Sequence, residues 1–176
     1  MFLLPLLAVL VQALSGAPLD ALQAPAGTKA IVFIFTSTDC PVSNRYAPEV
    51  RRIADAFASK GVVFRLVYPA ASDDAKAIRA HMAEYGYTGI ADGVRDPTLA
   101  LVKFTGATIT PEAAVVVNGK VAYRGRIDDR YVDLGRERPA PTRRDLFDAL
   151  TAVVAGKPAP RATTQAVGCF IADLAR

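Results

Sequence analysis

The stretch FTSTDCPVSNRYAPEV, residues 35–50, joins a predicted buried strand to a predicted helix and contains one of the two cysteines of the chain, Cys40. The run KAIVFIF at 29–35 is apolar and β-branched without alternation, which is typical of a strand buried on both faces. Residues 43–61 carry apolar side chains at the spacing of one helix face and end at a glycine. The sequence therefore places Cys40 at the amino end of a helix, which Pro48 is expected to kink.

The rest of the chain follows the pattern of a mixed α/β domain. A strand, a helix and a second strand in succession indicate parallel pairing. Asn118-Gly119 between two β-rich runs is favoured in a type I′ hairpin, which adds an antiparallel pair. With 176 residues the chain is long enough for one core and too short for two ordinary domains. We predict a strand at 62–69, helices at 72–86, 96–106 and 142–156, and the hairpin at 111–126, all within one domain at 29–156.

The two ends of the chain differ from this domain in composition. Residues 1–17 are apolar from the second position, uncharged, and end in small residues, which is typical of a signal peptide or a short N-terminal anchor. Cleavage after Ala13 and an uncleaved membrane tether are both open, although the stretch is short for a full span. A mis-assigned start or a frayed apolar N-terminus is the other alternative. We expect an exported protein, periplasmic or otherwise extracytoplasmic, with a linker at 18–28 and a mobile, Pro-rich tail at 157–176 that carries Cys169.

Composition argues against nucleic acid as a partner. The chain has 21 basic and 17 acidic residues, a net charge of +4, and no tryptophan. This small basic excess is diluted by Asp and Glu, and no aromatic run is interleaved with Lys and Arg. One histidine, His81, and two distant cysteines do not match the spacing of a metal site. Since no glycine-rich phosphate loop follows a predicted strand either, we expect no cofactor and no bound metal.

Two roles are open for Cys40. In an exported protein, two cysteines favour a structural disulfide, because oxidising compartments preserve such bonds. A cysteine at a helix amino end instead meets unpaired backbone N–H groups and the positive end of the helix dipole, and both favour the thiolate. Thiols placed in this way have pKa values of roughly 3.5 to 7.5, against about 8.5 for a free cysteine. The position therefore favours a reactive Cys40.

Three local features resemble the thioredoxin fold over residues 28–155. FTSTDCPVS is similar to the approach to the thioredoxin active site, with Cys40 at the first position of a C-x-x-C and Ser43 at the second. Pro48 follows this cysteine by eight residues, as in related helices. TITPEAAVV is similar to the Thr-Pro that precedes the hairpin strand of that fold, where Pro111 would be cis; a trans proline opening an edge strand is the alternative. The resemblance implies a thioredoxin fold with a central mixed β-sheet flanked by helices.

The chain is similar to the exported redoxin group, thioredoxin-like proteins allied to the alkyl hydroperoxide reductase and thiol-specific antioxidant superfamily. DCPVSNRYAPEV, TGATITPEAAV, YRGRIDDRY and the late VGCF together carry this resemblance. Two departures stand out: Ser43 replaces the second cysteine of the usual pair, and Phe33 and Ser37 replace the Pro and Thr of the peroxiredoxin pattern P-x-x-x-T-x-x-C. Cys40-Pro41 still matches the Cys-Pro of peroxiredoxins, which makes Pro41 a candidate substrate contact.

The resemblance implies a role for each candidate site residue. Cys40 would attack a disulfide or a peroxide near neutral pH, and Ser43 would hydrogen-bond its thiolate. Cys169 would reach back on its mobile tail to supply the missing resolving thiol. Thr110 and Pro111 would offer a strand-like contact to an extended substrate beside the sulfur.

Arg124 and Arg126 are further candidates for the site. They lie two residues apart in a predicted strand and therefore share a face. In that position they would hold an anion or a peroxide oxygen near the thiolate. The alternative is a pair of solvated strand arginines bridged to Asp128 or Asp129.

The sequence thus predicts a thiol–disulfide oxidoreductase that acts through Cys40 on protein thiols or disulfides and draws electrons from an external donor. Two alternatives are open. One is a thiol peroxidase in which Cys40 passes through a sulfenic acid. The other is a non-catalytic thioredoxin-fold module that binds a protein partner and holds a fixed disulfide between Cys40 and Cys169.

Overall fold

The computed structural model describes residues 8–171, and its elements follow the predicted order, with strands added near both ends and two short strands, at 92–95 and 109–110, added in the middle of the chain. The strands are β1 (Leu10–Ala13), β2 (Pro18–Asp20), β3 (Ala30–Phe35), β4 (Val62–Tyr68), β5 (Asp92–Arg95), β6 (Ile109–Thr110), β7 (Glu112–Val117), β8 (Lys120–Gly125), β9 (Tyr131–Asp133), β10 (Arg136–Glu137) and β11 (Cys169–Phe170). The helices are α1 (Pro41–Arg45), α2 (Ala47–Phe57), α3 (Ala75–Glu84), α4 (Ala100–Thr105) and α5 (Asp145–Val154), with a 3-10 turn at Ala58–Lys60.

Seven strands form one mixed sheet in the order β2-β1-β5-β4-β3-β7-β8. β3 pairs in parallel with β4 and antiparallel with β7, and β4 pairs in parallel with β5. Every residue of β3 is buried, because this strand is covered on both faces. The arrangement confirms the predicted thioredoxin-like α/β fold with a central mixed sheet.

Alternate residues of β3 enter two separate hydrophobic clusters. Val32 and Ile34 pack in one cluster together with α2 and α5. Phe33 and Phe35 lie in the other, together with α4 and β1. The two clusters arise because successive side chains of a strand point to opposite faces of the sheet. The carboxyl end of β3, from which the chain leads to Cys40, is therefore fixed from both sides.

The first predicted helix is divided at Tyr46. α1 ends one residue before Tyr46 and α2 begins one residue after it. Pro48 explains the break, because it has no backbone N–H for the carbonyl four residues earlier and its ring crowds that carbonyl. The helix begins at Pro41, directly after Cys40, as predicted. Proline suits the first helical position, where no N–H donor is needed.

The amino-terminal segment takes part in the sheet. β1 and β2 form a hairpin, and β1 pairs antiparallel with β5. Val9 and Ala21 are buried, so the expected linker at 18–28 is corrected in its first part: the apolar side chains around it pack into the domain. Residues 1–7 of the expected leader lie outside the described residues. Within 8–171, no helix has the length and apolar character needed to span a membrane.

The carboxy-terminal segment is also part of the fold. A β-bridge joins it to the outer edge of β8, and β11 pairs antiparallel with β6, with Cys169 opposite Thr110. The mobile tail expected at 157–176 is therefore corrected for residues 162–171, which we name the strap. Pairing with β6 and β8 gives the backbone groups of the strap hydrogen-bond partners, and this is the physical reason that it is ordered.

Candidate active site

Cys40 lies at the N-cap of α1, as the sequence predicts. Its side chain is 1% exposed. The Sγ atom donates to the carbonyl oxygen of Thr110 at 3.2 Å, and the peptide bond from Thr110 to Pro111 is cis, also as predicted. The sulfur is therefore enclosed between the start of a helix and the segment around the cis proline.

Several hydrogen-bond donors converge on the sulfur of Cys40. Burial raises the pKa of Cys40, but hydrogen bonds offered by the Cys169 thiol, by the hydroxyl and backbone N–H of Ser43 and by the Thr110 hydroxyl lower it below the value of a free thiol. With Cys40 as a neutral thiol, the buried Ser43 hydroxyl has no hydrogen-bond partner among the described residues. Ionisation of Cys40 gives this donor an acceptor, and the thiolate is favoured for that reason.

Cys169 reaches the site through strand pairing rather than on a flexible tail. Its carbonyl oxygen accepts from the Thr110 hydroxyl at 3.4 Å, within the ladder between β11 and β6. Both cysteines are free thiols. Burial, together with hydrogen bonding to Cys40 and the negative charge on it, raises the pKa of Cys169 to about 12. The pKa values of the two neighbouring thiols are therefore shifted in opposite directions: that of Cys40 is lowered, while Cys169 keeps its proton at neutral pH.

A buried carboxylate holds the segment that leads to Thr110. The Glu112 side chain accepts from the backbone N–H of Thr108 at 2.8 Å and from that of Ile109 at 3.2 Å. The same carboxylate pairs with Arg124 at 2.7 Å, and Glu112 itself is only 2% exposed. Glu112 therefore fixes the backbone that faces Cys40, although nothing in the local sequence singled it out.

The two strand arginines are not brought to the thiolate. Arg124 pairs with Glu112, and Arg126 pairs with Asp145 at 2.7 Å. Neither lines the pocket beside Cys40. The expected anion contact is therefore corrected, and so is the alternative pairing with the aspartates that follow in the chain. Each guanidinium group pairs with a buried carboxylate, and the residue spacing along the strand does not reveal these partners.

A pocket of about 280 Å³ opens beside Cys40. Its walls come from the loop before α1, from the segment after β4, from Thr110 and from the strap. Phe170 of the strap is 81% exposed at this opening. Cys40 and the strap therefore form neighbouring walls of one pocket, so the strap borders the approach to Cys40.

A buried histidine supports the active-site loop from the side of α3. His81 Nε2 donates to Asn44 Oδ1 at 2.8 Å, and Nδ1 accepts from the Tyr68 hydroxyl at 2.9 Å. Burial lowers the pKa of His81, which agrees with a neutral ring. Asn44 in turn donates to the carbonyl oxygen of Thr38 at 3.4 Å. The ring is thus engaged on both nitrogens, and within residues 8–171 no group of three or more His, Cys, Asp or Glu side chains is placed to hold a metal ion.

Comparison with protein families covers the fold up to β9 and ends before α5 and the strap. A sequence model of the redoxin family matches residues 8–133, from the start of the described chain to the end of β9. The chain belongs to the redoxin family. The match includes β1 and β2, in agreement with their place in the sheet. Comparison with curated protein sequences gives no match.

Solved structures similar to this redoxin share its fold. A hypothetical protein from Sinorhizobium meliloti has a TM-score of 0.76 at 21% identity, covering 94% of this chain and 90% of its own. An uncharacterized conserved protein from Geobacillus kaustophilus has a TM-score of 0.77 at 23% identity, covering 93% and 87%. A secreted disulfide oxidoreductase from Mycobacterium tuberculosis, homologous to DsbE of Escherichia coli, has a TM-score of 0.53 at 20% identity, covering 84% and 94%. At these identities the likeness establishes the thioredoxin-like fold alone.

The redoxin differs from the peroxiredoxin pattern at two positions near Cys40. Ser37, at the position of the threonine, donates its hydroxyl hydrogen bond to the carboxylate of Asp39 in the same loop. Phe33, at the position of the proline, is fully buried in the sheet. The hydroxyl is therefore hydrogen-bonded within its own loop rather than to Cys40.

Proposed function

We propose that this redoxin is a thiol–disulfide oxidoreductase in which Cys40 is the nucleophile and Cys169 the resolving thiol. The observation that carries the proposal is the pairing of β11 with β6, which brings Cys169 to Cys40 while the pKa values of the two thiols are shifted in opposite directions. Exchange requires this difference, because the thiolate attacks while the resolving thiol stays protonated until it is needed. Family membership and the thioredoxin-like fold support an oxidoreductase of this class.

In the first step, the Cys40 thiolate attacks one sulfur of a client disulfide. A bond forms between Cys40 and that sulfur, the client S–S bond breaks, and the other client sulfur leaves as a thiolate that takes a proton from water. Ser43 and the amino end of the helix stabilise the attacking thiolate. Thr110, Pro111 and Pro41 are the proposed contacts for the extended client segment.

The loss of charge on Cys40 starts the second step. Burial, hydrogen bonding to Cys40 and the negative charge on it hold the pKa of Cys169 high in the dithiol form. Once Cys40 is bonded to the client its charge is gone, so the pKa of Cys169 falls. The Cys169 thiolate then attacks the Cys40 sulfur, the two cysteines form a disulfide, and the client leaves with its second thiol. The client has gained two electrons and two protons, which the protein dithiol has lost.

An external dithiol then restores the protein, since the chain has no third cysteine for an internal relay. The donor attacks the disulfide, takes up the oxidation and leaves both thiols reduced. We place the reaction outside the cytoplasm, where client disulfides persist. The secreted mycobacterial protein of the same fold supports this location.

The proposal is tested by the reduction of a peptide disulfide with dithiothreitol as electron donor. Wild-type protein should raise the rate above that of dithiothreitol alone, and the near-isosteric Cys40→Ser variant should give no acceleration, because a hydroxyl is a poor nucleophile at neutral pH. Circular dichroism and thermal melting check that the variant is folded. A wild-type protein that adds nothing to the background rate and whose disulfide resists reduction would support the binding module instead, in which the bond stabilises the fold by about 2 to 4 kcal/mol.

A thiol peroxidase is the second candidate, and the enclosure of Cys40 is the observation that favours it. The residue is 1% exposed, beside a pocket of about 280 Å³, so a peroxide has easier access than a polypeptide. The thiolate would take one oxygen of the peroxide, leaving an alcohol and, after protonation, a sulfenic acid; Cys169 would then condense with it to a disulfide and water. A Cys40 sulfenic acid trapped in a Cys169→Ser variant, formed faster than any disulfide exchange, would make this the better account.

A further inference from the structure

We infer that the strap occupies the edge at which a client cysteine is presented to Cys40, and that the favoured client is an extended polypeptide with glycine immediately before its cysteine. The inference rests on the proposed function, because it names the substrate class of the same site. The cysteine of the strap and the cysteine of the client compete for the same place beside β6.

β11 is placed as an extended client would be. Cys169 lies opposite Thr110 in an antiparallel pairing with β6. The pairing continues to Ile171, whose backbone N–H donates to the carbonyl oxygen of Thr108 at 3.0 Å. Strand addition at a sheet edge uses backbone groups, which every polypeptide has. Any extended segment with its cysteine in this register therefore presents that sulfur to Cys40.

One position of the strap accepts only glycine. At Gly168 an added Cβ would lie 2.1 Å from the carbonyl oxygen of Thr110 and 2.7 Å from its carbonyl carbon. These are backbone atoms, so they cannot turn away as the end of a flexible side chain can, and the strand would have to lift instead. A client in the same register meets the same carbonyl with the residue before its cysteine. The edge therefore selects clients that have glycine immediately before the cysteine.

The strap is held firmly at one end and weakly at the other. At the firm end, the backbone N–H of Thr164 donates to the carbonyl oxygen of Arg124 at 3.0 Å. Within the described chain, residues 165–168 make no backbone–backbone hydrogen bond outside the strand ladders. Phe170 is 81% exposed and adds little packing. The pairing of residues 169–171 can therefore open about Thr164 while the domain stays folded.

The redox state decides how tightly the strap closes the edge. A disulfide between Cys40 and Cys169 holds the strap covalently in the oxidised protein. In the dithiol form the strand is kept in place by noncovalent contacts alone: its hydrogen bonds, the buried Ile171 side chain and the packing of Val167 and Cys169 against the core. The reduced protein, which is the form that attacks a client, is thus the form that can expose the edge. Only the molecules in which the strap is open react with a polypeptide, so the observed rate constant is reduced in proportion to that open fraction.

The test uses two peptides based on the strap, AVGCFIA and the same peptide with alanine in place of glycine. Each carries thionitrobenzoate as a mixed disulfide on its cysteine, and attack by Cys40 releases the coloured thiolate. The full-length reduced wild type, a Gly168→Ala variant and a Gln165→Ala control are compared. Gln165 is an exposed residue of the same strap whose side chain bonds only to the adjacent Ala166, so the control leaves the edge pairing intact.

Gly168→Ala should raise the rate constant for the glycine peptide by about tenfold or more, because the open fraction limits the wild type. The Gln165→Ala control should match the wild type. In the Gly168→Ala protein, the alanine peptide should react about tenfold more slowly than the glycine peptide, since its methyl group meets the same carbonyl. Ile171→Ala is the second variant, for use if Gly168→Ala perturbs folding. It removes the buried side chain at the carboxyl end of the strap and should raise the rate constant by a similar factor.

No gain in either strap variant, or equal rates for the two peptides, would overturn the inference. The proposed function would survive that result if the symmetric disulfide of thionitrobenzoate, which carries no peptide, still reacted with the wild type and not with Cys40→Ser. A wild-type protein that reacted with neither the peptides nor the symmetric disulfide would overturn the proposed function and the inference together.

Discussion

Serine in place of Cys169 should stop the reaction of this redoxin halfway. Reduced wild-type protein given an equivalent of a peptide disulfide should release both client thiols and end with a bond between Cys40 and Cys169. The Cys169→Ser variant should release one client thiol and keep the other client sulfur on Cys40 as a mixed disulfide, because a hydroxyl does not attack a disulfide at neutral pH. The mass of the intact protein after acid quenching separates the two products.

The first attack should survive this substitution. The Cys169 thiol lowers the pKa of Cys40 by hydrogen bonding, and a serine hydroxyl still offers such a donor. Cys169→Ala removes the donor, so its first attack at neutral pH should be slower than that of Cys169→Ser by about tenfold, given roughly 1.5 kcal/mol for a hydrogen bond to a charged group. Release of both client thiols by Cys169→Ser would exclude Cys169 as the resolving thiol.

The second large effect is expected at Glu112, where alanine should lower the free energy of unfolding by about 3 kcal/mol. The carboxylate binds the backbone N–H groups of Thr108 and Ile109 and pairs with Arg124. Its removal leaves buried donors without an acceptor and a guanidinium without its partner. Urea denaturation followed by circular dichroism measures the change, and a constant slope with urea concentration shows that the unfolding transition is otherwise unaltered.

Glu137→Ala is the matched control for this experiment. Glu137 pairs with Arg130 at 3.4 Å, and both side chains are more than two-fifths exposed. A solvated pair of this kind contributes at most about 1 kcal/mol, so the control should stay close to the wild type. Equal losses in the two variants would mean that the backbone leading to Thr110 is held by other contacts. Because this backbone faces Cys40, Glu112→Ala should also slow disulfide exchange, which the control should not.

The central part of the fold was predictable because its signals are local. The apolar run before Cys40 identified β3, the Asn-Gly pair identified the hairpin, and the Thr-Pro pair supplied the cis proline by resemblance. The amino-terminal strands were missed for a physical reason. Residues 8–14 are mostly apolar, and Val9 and Val11 pack at the sheet. An export leader has a similar composition, so only the pairing of β1 with β5 separates the two.

The sequence predicted individual residues of the site but not the tertiary contacts between them. Cys40 was identified from its helix position and Ser43 from the resemblance, but the placement of Cys169 depends on pairing with a residue 59 positions earlier. No local pattern encodes that register. The same holds for Arg124 and Arg126, whose shared face was predicted while their acidic partners, 12 and 19 residues away, were not.

The claim that Cys40 is the activated nucleophile of the pair is tested most directly by the pH dependence of its alkylation. Fully reduced wild-type protein is treated with iodoacetamide, and initial rates at Cys40 and Cys169 are measured separately by peptide mass spectrometry. The rate follows the thiolate fraction, so a lowered pKa brings Cys40 to its maximum at a lower pH than a free thiol. Ser43→Ala, which removes a donor to the thiolate, should move this profile to higher pH.

We predict that Cys40 is alkylated first, with a midpoint below that of an ordinary cysteine, while Cys169, with its pKa raised to about 12, stays protected at neutral pH. A midpoint for Cys40 at or above the ordinary value of about 8.5 would contradict the account, as would alkylation of Cys169 before Cys40.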